Sequence, residues 1–190
     1  MKTLENAIVK LIPMESFHVE GISEVANEQE IWEHMSVDLT DKRNVEQYVR
    51  DAQEKRDAGT GFAFVIAEAK SNKIIGATWF LDISMPHKRL EIGSTWLNPK
   101  SWRTNINTNC KFLLLAYCFE ELGLNRVQIK TGHENVRSQR AIERIGAVKE
   151  GVLRNHMIRK EGRIRHTVMY SITKEEWPQV KGRLLDRLMK

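Results

Sequence analysis

A polar loop, Arg103 to Thr108, lies directly before an apolar helical pattern and has the composition of an anion site. The first turn of a helix carries unpaired backbone N–H groups and about half a positive charge, so a phosphate can bind there. Phosphate loops usually contain glycine, because glycine lets the backbone approach the anion closely. This loop has Asn105 and Asn107 instead, and asparagine is the non-glycine residue that best tolerates a left-handed backbone. The residues alone leave two alternatives open, a phosphate site and an ordinary polar helix cap.

Cysteine and histidine, the other residue types that could carry chemistry, give weaker patterns. Cys110 and Cys118 fall in one predicted helix, about 12 Å apart along its axis, which is too far for a disulfide. No Cys/His spacing typical of a metal site occurs, so we expect buried thiols and no metal. His156 and His166 lie on the last two predicted strands and are more typical of structural histidines.

The composition is typical of one globular domain spanning residues 1–190, with 41% hydrophobic and 29% charged residues. No apolar run reaches the roughly 18 residues that a membrane span needs. Charges and Pro13 interrupt the N-terminal stretch, so no signal peptide is expected and a cytoplasmic location is predicted. The formal net charge of +5 favours an anionic partner such as a phosphorylated cofactor. No nucleic-acid-binding motif accompanies that charge, so nucleic acid is not an expected partner.

The elements that must position these residues follow from hydrophobic periodicity. Strands are predicted over Asn6–Met14, Phe62–Lys70, Lys73–Ile83, Arg89–Leu97 and Arg126–Lys130, followed by two strands between Ala147 and Ile172 joined by a turn at Lys160–Gly162. Helices are predicted between Phe17 and Met35, from an Asp41 cap to about Ala58, over Asn107–Gly123 and Asn135–Gly146, and at the C-terminus. This pattern predicts an α+β domain whose antiparallel strands lead into a strand–helix–strand unit.

The C-terminal helix carries an apolar stripe that needs a partner surface. The stripe could dock on the domain itself or on a second copy of the chain, so a homodimer is left open. Its residues are Val180, Leu184, Leu185 and Leu188.

The order of elements resembles the GNAT family of N-acetyltransferases, in particular the ribosomal-protein N-terminal acetyltransferases. The residues that carry the resemblance are RLEIGSTWLNP, AYCFEELGLNRVQIK and, most specifically, the segment from ENVRS through EGVLR. The resemblance covers Val9 to Trp177. It implies a mixed, mostly antiparallel central sheet of about six or seven strands, with helices on both faces and one splayed parallel strand pair. It also implies acetyl-coenzyme A as co-substrate and no metal.

The resemblance also assigns residues to the cofactor. The family's pyrophosphate loop, Q/R-x-x-G-x-G/A, falls on Trp102 to Asn107, and three positions depart from it: Trp102, Asn105 and Asn107. The strand before the loop would bind the pantetheine arm through its backbone, and the asparagine of an NxxS motif would contact the same arm. The implied cofactor-binding residues are Trp96, Leu97, Arg103, Thr104, Asn105, Ile106, Asn107, Thr108 and Asn135.

Two residues are implied as catalytic groups. Glu91 lies on the strand that leads to the cleft, where acidic residues of some relatives act as the base; the alternative is a surface charge paired with Arg89 or Lys88. Strict alternation along the strand would put Glu91, Gly93 and Thr95 on one face. Ser138, the serine of the NxxS motif, could protonate the departing thiolate or could simply cap a helix.

The resemblance implies transfer of an acetyl group from acetyl-coenzyme A to a primary amine by direct attack. The amine would belong to a small molecule or to a protein N-terminus. The missing glycines motivate an alternative, a catalytically weak module that binds or senses acyl-coenzyme A.

Overall fold

Eight strands form one mixed sheet in the order β1-β2-β3-β4-β5-β6-β8-β7. The computed structural model describes residues 1–159 and 162–189. In that part of the chain β5 and β6 are parallel, and all other neighbouring strands are antiparallel. The strands are β1 (Leu4–Glu5), β2 (Val9–Pro13), β3 (Phe62–Glu68), β4 (Ile74–Ser84), β5 (Arg89–Leu97), β6 (Arg126–Gly132), β7 (Val148–Ile158) and β8 (Ile164–Thr173).

The predicted α+β class is confirmed, but the sheet has eight strands rather than six or seven. The additional strand, β1, has two residues, which is too short for any hydrophobic alternation to reveal. A turn at Asn6 folds it back on β2, because the Asn6 side-chain oxygen accepts hydrogen bonds from the backbone N–H groups of Ile8 and Val9. The turn predicted between β7 and β8 includes residues 160 and 161, which lie outside the described residues.

Within the described residues, five α-helices lie near the expected positions: α1 (Val19–Val25), α2 (Lys42–Asp57), α3 (Ile106–Ala116), α4 (Val136–Arg144) and α5 (Trp177–Leu188). The predicted cap of α2 is present, since the Asp41 side chain accepts from the Arg43 N–H at 2.8 Å. A π-helical segment, Tyr117–Glu121, extends α3. No helix among the described residues is long and apolar enough to span a bilayer.

Each face of the sheet buries its own apolar cluster, so helices cover both faces as predicted. The first cluster joins the sheet to α3, α4 and α5, and the second joins it to α1 and α2. Val180 and Leu184 of α5 are buried in the first cluster, so part of the apolar stripe docks on the chain itself. Leu185 is 39% exposed and does not take part.

The parallel strands β5 and β6 pair only near their N-terminal ends. Their register runs from Arg89 opposite Arg126 to Glu91 opposite Gln128, and no pairing follows beyond that point. From there the two strands diverge, which is the predicted splay. Backbone groups on the facing edges of the divergent strands are therefore available to a ligand.

A β-bulge in β5 lies within this splay. Ser94 has a φ of 45°, and the register with β4 shifts between Ala77/Trp96 and Trp79/Gly93. The extra residue breaks strict alternation, so the expectation that Glu91, Gly93 and Thr95 share one face is wrong. Thr95 instead faces α3, where its hydroxyl accepts from Lys111 Nζ at 2.7 Å.

Candidate active site

The N-terminus of α3 opens onto a cavity of about 360 Å³ with a strongly cationic wall. Three arginines line it: Arg103 from the loop before α3, Arg144 from the last turn of α4 and Arg187 from the last turn of α5. Thr104, Asn105, Thr108 and Leu188 complete the lining. Three positive charges at the positive end of a helix form a site that attracts a polyanion.

The loop before α3 does need a left-handed residue, but that residue is neither asparagine. Arg103 has a φ of 61°, whereas Asn105 has a φ of −79° and Asn107 lies within the helix. The interpretation of Asn105 and Asn107 as left-handed substitutes for glycine is therefore wrong. Asn105 begins the helix, and its carbonyl accepts both the backbone and the side-chain N–H of Asn109. The absent glycines impose no backbone strain at these two positions.

Trp102, a departure from the family's loop pattern, joins the loop to α4. Its ring N–H donates to the carbonyl of Leu97 at 2.8 Å, and the guanidinium carbon of Arg137 lies 4.0 Å from its ring centre. Cation–π contacts of this kind hold two elements together. Because the loop follows β5 and α4 follows β6, the contact spans the open end of the splay.

The NxxS pair lies at the start of α4, on the other side of the splay. The Asn135 side-chain oxygen accepts from the backbone N–H of Ser138 at 3.0 Å, which makes Asn135 a helix cap. Ser138 is half-buried, and its hydroxyl has no hydrogen-bond partner among residues 1–159 and 162–189. That hydroxyl is free to donate to a bound molecule.

Glu91 is a buried carboxylate rather than a surface charge, with 2% of its surface exposed. One of its oxygens, Oε2, accepts hydrogen bonds from both neighbouring donors, Lys130 Nζ at 2.7 Å and Gln128 Nε2 at 3.2 Å. Burial raises the pKa of Glu91, and the Lys130 ammonium opposes that rise. A carboxylate with a raised pKa is a better proton acceptor at neutral pH.

The second oxygen of Glu91, Oε1, has no hydrogen-bond partner among residues 1–159 and 162–189 and lies over Gly93. A Cβ built on Gly93 would be 2.6 Å from Oε1, so glycine leaves the space that the carboxylate occupies. Gly93 directly precedes the bulge at Ser94. Oε1 is therefore next to the bulge in β5, on the face of the sheet that α1 and α2 cover.

Lys111 is a functional candidate that the sequence analysis missed. It lies in the middle of α3 and is 6% exposed, and burial lowers its pKa to about 8. Its ammonium donates to Thr95, which in turn bonds Thr78. Helical periodicity could have identified Lys111, because this residue lies on the same apolar face of α3 as Cys110 and Leu114, which are both buried.

Several tryptophan and histidine side chains have structural roles. The side chains of Trp32, Trp79 and Trp96 are buried in the α1/α2 cluster, so Trp96 can offer a ligand only its backbone. His166 Nδ1 accepts from the backbone of Asn155 beside an irregularity in β7, and His156 bonds the hydroxyl of Thr167.

Both cysteines are buried, and burial raises the pKa of each thiol, that of Cys110 to about 12. Neither is a ready nucleophile. No cluster of His, Cys, Asp or Glu that could hold a metal occurs within the described residues.

A splayed parallel pair with a bulge, and a cationic helix terminus at its open end, agree with the coenzyme A site that the resemblance to the GNAT family implies. The comparisons with known proteins agree. A family model described as an acetyltransferase (GNAT) domain matches residues 9–148. Over 181 residues the chain is 26% identical to an uncharacterised N-acetyltransferase, p20, of Bacillus licheniformis, covering 93% of this chain and 99% of that protein.

Solved structures share the whole fold. A GCN5-related N-acetyltransferase from Brucella melitensis has a TM-score of 0.90 at 26% identity, over 97% of this chain and 84% of that chain. The microcin C7 self-immunity acetyltransferase MccE, in complex with acetyl-CoA and AMP, has a TM-score of 0.78 at 21% identity, over 88% of this chain and 93% of that chain. The chain therefore belongs to the GNAT family, as the resemblance in the sequence indicated, and is an acetyl-CoA-dependent N-acetyltransferase.

Proposed function

We propose that residues 1–190 act as one domain that acetylates a primary amine, on a small molecule or a protein N-terminus, by direct attack on acetyl-CoA. The observation that carries this proposal is the free oxygen of Glu91. It has no partner in the part of the chain that the structure describes, lies over Gly93, and is adjacent to the bulge in the splay where the thioester would lie. Glu91 is therefore the proposed base.

The proposed cofactor site runs along the splay to the start of α3. The adenosine and pyrophosphate end occupies the cationic cavity, where the N-terminus of α3 and three arginines offer positive charge. The pantetheine arm pairs with the exposed backbone of β5 at Trp96 and Leu97, and Asn135 contacts it from α4. The proposed phosphate contacts are Arg103, Thr104, Asn105, Ile106, Asn107 and Thr108.

The chain's own groups then manage charge and protons. Glu91 takes a proton from the acceptor ammonium, so that the nitrogen lone pair can attack the thioester carbonyl carbon. Backbone N–H groups freed at the bulge stabilise the oxyanion of the tetrahedral intermediate. The intermediate collapses as the carbon–sulfur bond breaks, and the electron pair leaves with the sulfur. The nitrogen of the intermediate still carries one proton more than the amide product, and Ser138 relays it: the hydroxyl donates its proton to the departing thiolate and takes up the proton that the nitrogen releases. The buried Lys111 ammonium stabilises the charge that develops on the sulfur before this transfer is complete.

The proposal is tested by the release of free coenzyme A from acetyl-CoA in the presence of a panel of amines. The panel combines short peptides with free N-termini, amino acids and polyamines, with mass spectrometry of the acetylated product. A product acetylated on nitrogen, formed without an acetyl-enzyme, supports direct attack. An enzyme that stays acetylated after acetyl-CoA is removed would contradict it.

Arg103 gives a test that separates cofactor binding from folding. Arg103→Gly relieves a left-handed backbone strain of about 1–2 kcal/mol but adds chain entropy of similar size to the unfolded state. We expect the free energy of unfolding to change by less than about 1 kcal/mol. The KM for acetyl-CoA should rise by about tenfold, because one cation facing the phosphates is lost.

The matched variant is Arg103→Lys, which keeps both the charge and the left-handed backbone. It should retain most of the cofactor affinity. Urea unfolding measures the stability of both variants, and initial rates at varied acetyl-CoA measure the KM. If Arg103→Gly left the KM unchanged, Arg103 would not be a cofactor contact.

A further inference from the structure

Two arginines at the C-terminal end of β6 converge over one glycine. A Cβ built on Gly132 would lie 2.6 Å from Nη2 of Arg159 and 3.3 Å from Nε of Arg165. Any side chain at position 132 would displace these groups. The glycine therefore lets two guanidinium groups lie together against the end of the strand.

One nitrogen of each arginine in this pair, Arg159 and Arg165, has no acceptor within the described part of the chain. Arg159 Nη2 and Arg165 Nε are both buried and have no hydrogen-bond partner in the described residues. The Arg159 side chain is 10% exposed, and a different nitrogen of it, Nη1, lies 3.9 Å from the half-exposed carboxylate of Glu134. Burying charged donors without acceptors is costly, and two like charges side by side add to that cost. An anion bound between them would remove both penalties.

The arginine pair lies on the same face as the proposed base. The pairing of β6 with β8 contains no register shift, so Gln128, Lys130 and Gly132 point to one face, and the first two bond Glu91. Gly132 is two residues beyond Lys130, or about 7 Å along the strand. An amine beside Glu91 and an anionic group over Gly132 are thus within reach of one small molecule or one peptide end.

A cavity beside the arginine pair limits what the anion can be. It has a volume of about 50 Å³ and is lined by the two arginines with Met35, Ser36, Met157 and Ile158. Its lining of two cations and apolar side chains suits an anionic group with a short apolar stem, and its small volume favours a small group such as a carboxylate. Planar guanidinium forks match the geometry of a carboxylate.

We propose that the acetyl acceptor is a primary amine that carries a carboxylate, and that Arg159 and Arg165 bind this carboxylate while the amine faces Glu91. This inference rests on the proposed amine acetylation at the same site. The carboxylate can be the α-carboxylate of a free amino acid or an acidic side chain near a peptide N-terminus. Both sources share the chemistry that the arginine pair recognises, and the test separates them.

The test uses acceptors that differ only in charge. Free amino acids are compared with their carboxamides, and peptides with Asp or Glu at the second position are compared with the matching Asn or Gln peptides. We expect at least one carboxylate acceptor to exceed its neutral partner about tenfold or more in kcat/KM. Which pair gives the preference identifies the source of the carboxylate.

Variants connect that preference to the arginine pair. Arg159→Met and Arg165→Met should each abolish the preference and leave the KM for acetyl-CoA unchanged, whereas Arg163→Met, on the exposed part of the same hairpin, should keep it. Arg165→Lys keeps the charge without the fork and should lose part of the preference. Circular dichroism and acetyl-CoA binding verify that each variant is folded.

Several results would overturn the inference. Equal turnover of carboxylate and carboxamide acceptors by the unaltered enzyme would do so, as would a preference that survives in both methionine variants. If a phosphate-bearing amine such as phosphoethanolamine were acetylated faster than every carboxylate-bearing acceptor, the arginine pair would be a phosphate site and the proposed carboxylate would be wrong. Failure to acetylate any amine would instead contradict the proposed function itself, so the two failures are distinguishable.

Discussion

Glu91→Gln is expected to lower kcat/KM by roughly 10²- to 10⁴-fold, the contribution typical of a positioned general base. The glutamine keeps the size and the hydrogen bonding of the side chain toward Lys130 and Gln128, but it cannot accept a proton. The KM for acetyl-CoA should stay the same, because the cofactor cavity lies at the other end of the splay. Steady-state rates of coenzyme A release, with saturating acetyl-CoA, measure the change.

The pH profile gives a second readout. Burial raises the pKa of Glu91, so the activity of the unaltered enzyme should fall as the pH drops through that raised value. The residual activity of Glu91→Gln should lack this acidic limb. Glu54→Gln, on the exposed face of α2, serves as the control and should match the unaltered enzyme. A Glu91→Gln enzyme with full activity at neutral pH would exclude Glu91 as the base.

Lys111→Met should make the protein more stable and less active. Lys111 is 6% exposed, and burial lowers its pKa to about 8, from an ordinary value of 10.5. Keeping this group charged in the folded state at pH 7 therefore costs about 3 kcal/mol. Methionine removes the charge, so the free energy of unfolding should rise by about 2–3 kcal/mol, and Tm by several degrees. The rate should fall at least about tenfold, because the departing thiolate loses the cation that we propose stabilises it.

The pH dependence of stability checks the cause. Between about pH 8 and 10.5 the unfolded chain binds a proton at Lys111 that the folded chain has released, so the unaltered protein should gain stability as the pH rises through that interval. Lys111→Met should lack this gain, and the difference between the two proteins should shrink toward pH 10. Urea unfolding at pH 7 and pH 10 measures it. Lys55→Met, on the exposed side of α2, should change neither quantity; a destabilised Lys111→Met protein would contradict the account.

Local patterns predicted most of the fold because each helix and strand carries its own signal. Asp41 caps α2, Asn135 caps α4, and β5 spans Arg89–Leu97 as alternation indicated. The two-residue strand β1 was not predicted, because it depends on a side-chain turn and on a partner strand rather than on its own composition. Resemblance to the family supplied the splay, which no periodicity encodes.

The candidate site was less predictable because it depends on contacts between distant segments. Glu91 was predicted as the base, but its buried environment depends on Lys130 and Gln128 of a strand about forty residues later. The left-handed position was assigned to Asn105 and Asn107, although the chain places it at Arg103. The convergence of Arg159 and Arg165 over Gly132 needs three strands in register and leaves no mark on the local sequence.

The bulge at Ser94 changes which residues of β5 face each side of the sheet. Before the bulge, odd-numbered residues such as Glu91 and Gly93 are on the face covered by α1 and α2. After it, Trp96 is on that face and Leu97 is on the face covered by α3, α4 and α5. A substitution alters one side chain and leaves the alternation of side chains on either side of the bulge unchanged. A one-residue deletion at the bulge would leave a regular strand in which Trp96 and Leu97 keep their present faces, because only the extra residue would be lost. An insertion of one residue between Ser94 and Trp96 would instead exchange the two faces downstream, moving Trp96 out of one core and Leu97 out of the other. The extra residue at the bulge therefore serves the backbone of the splay and not the packing of the strand.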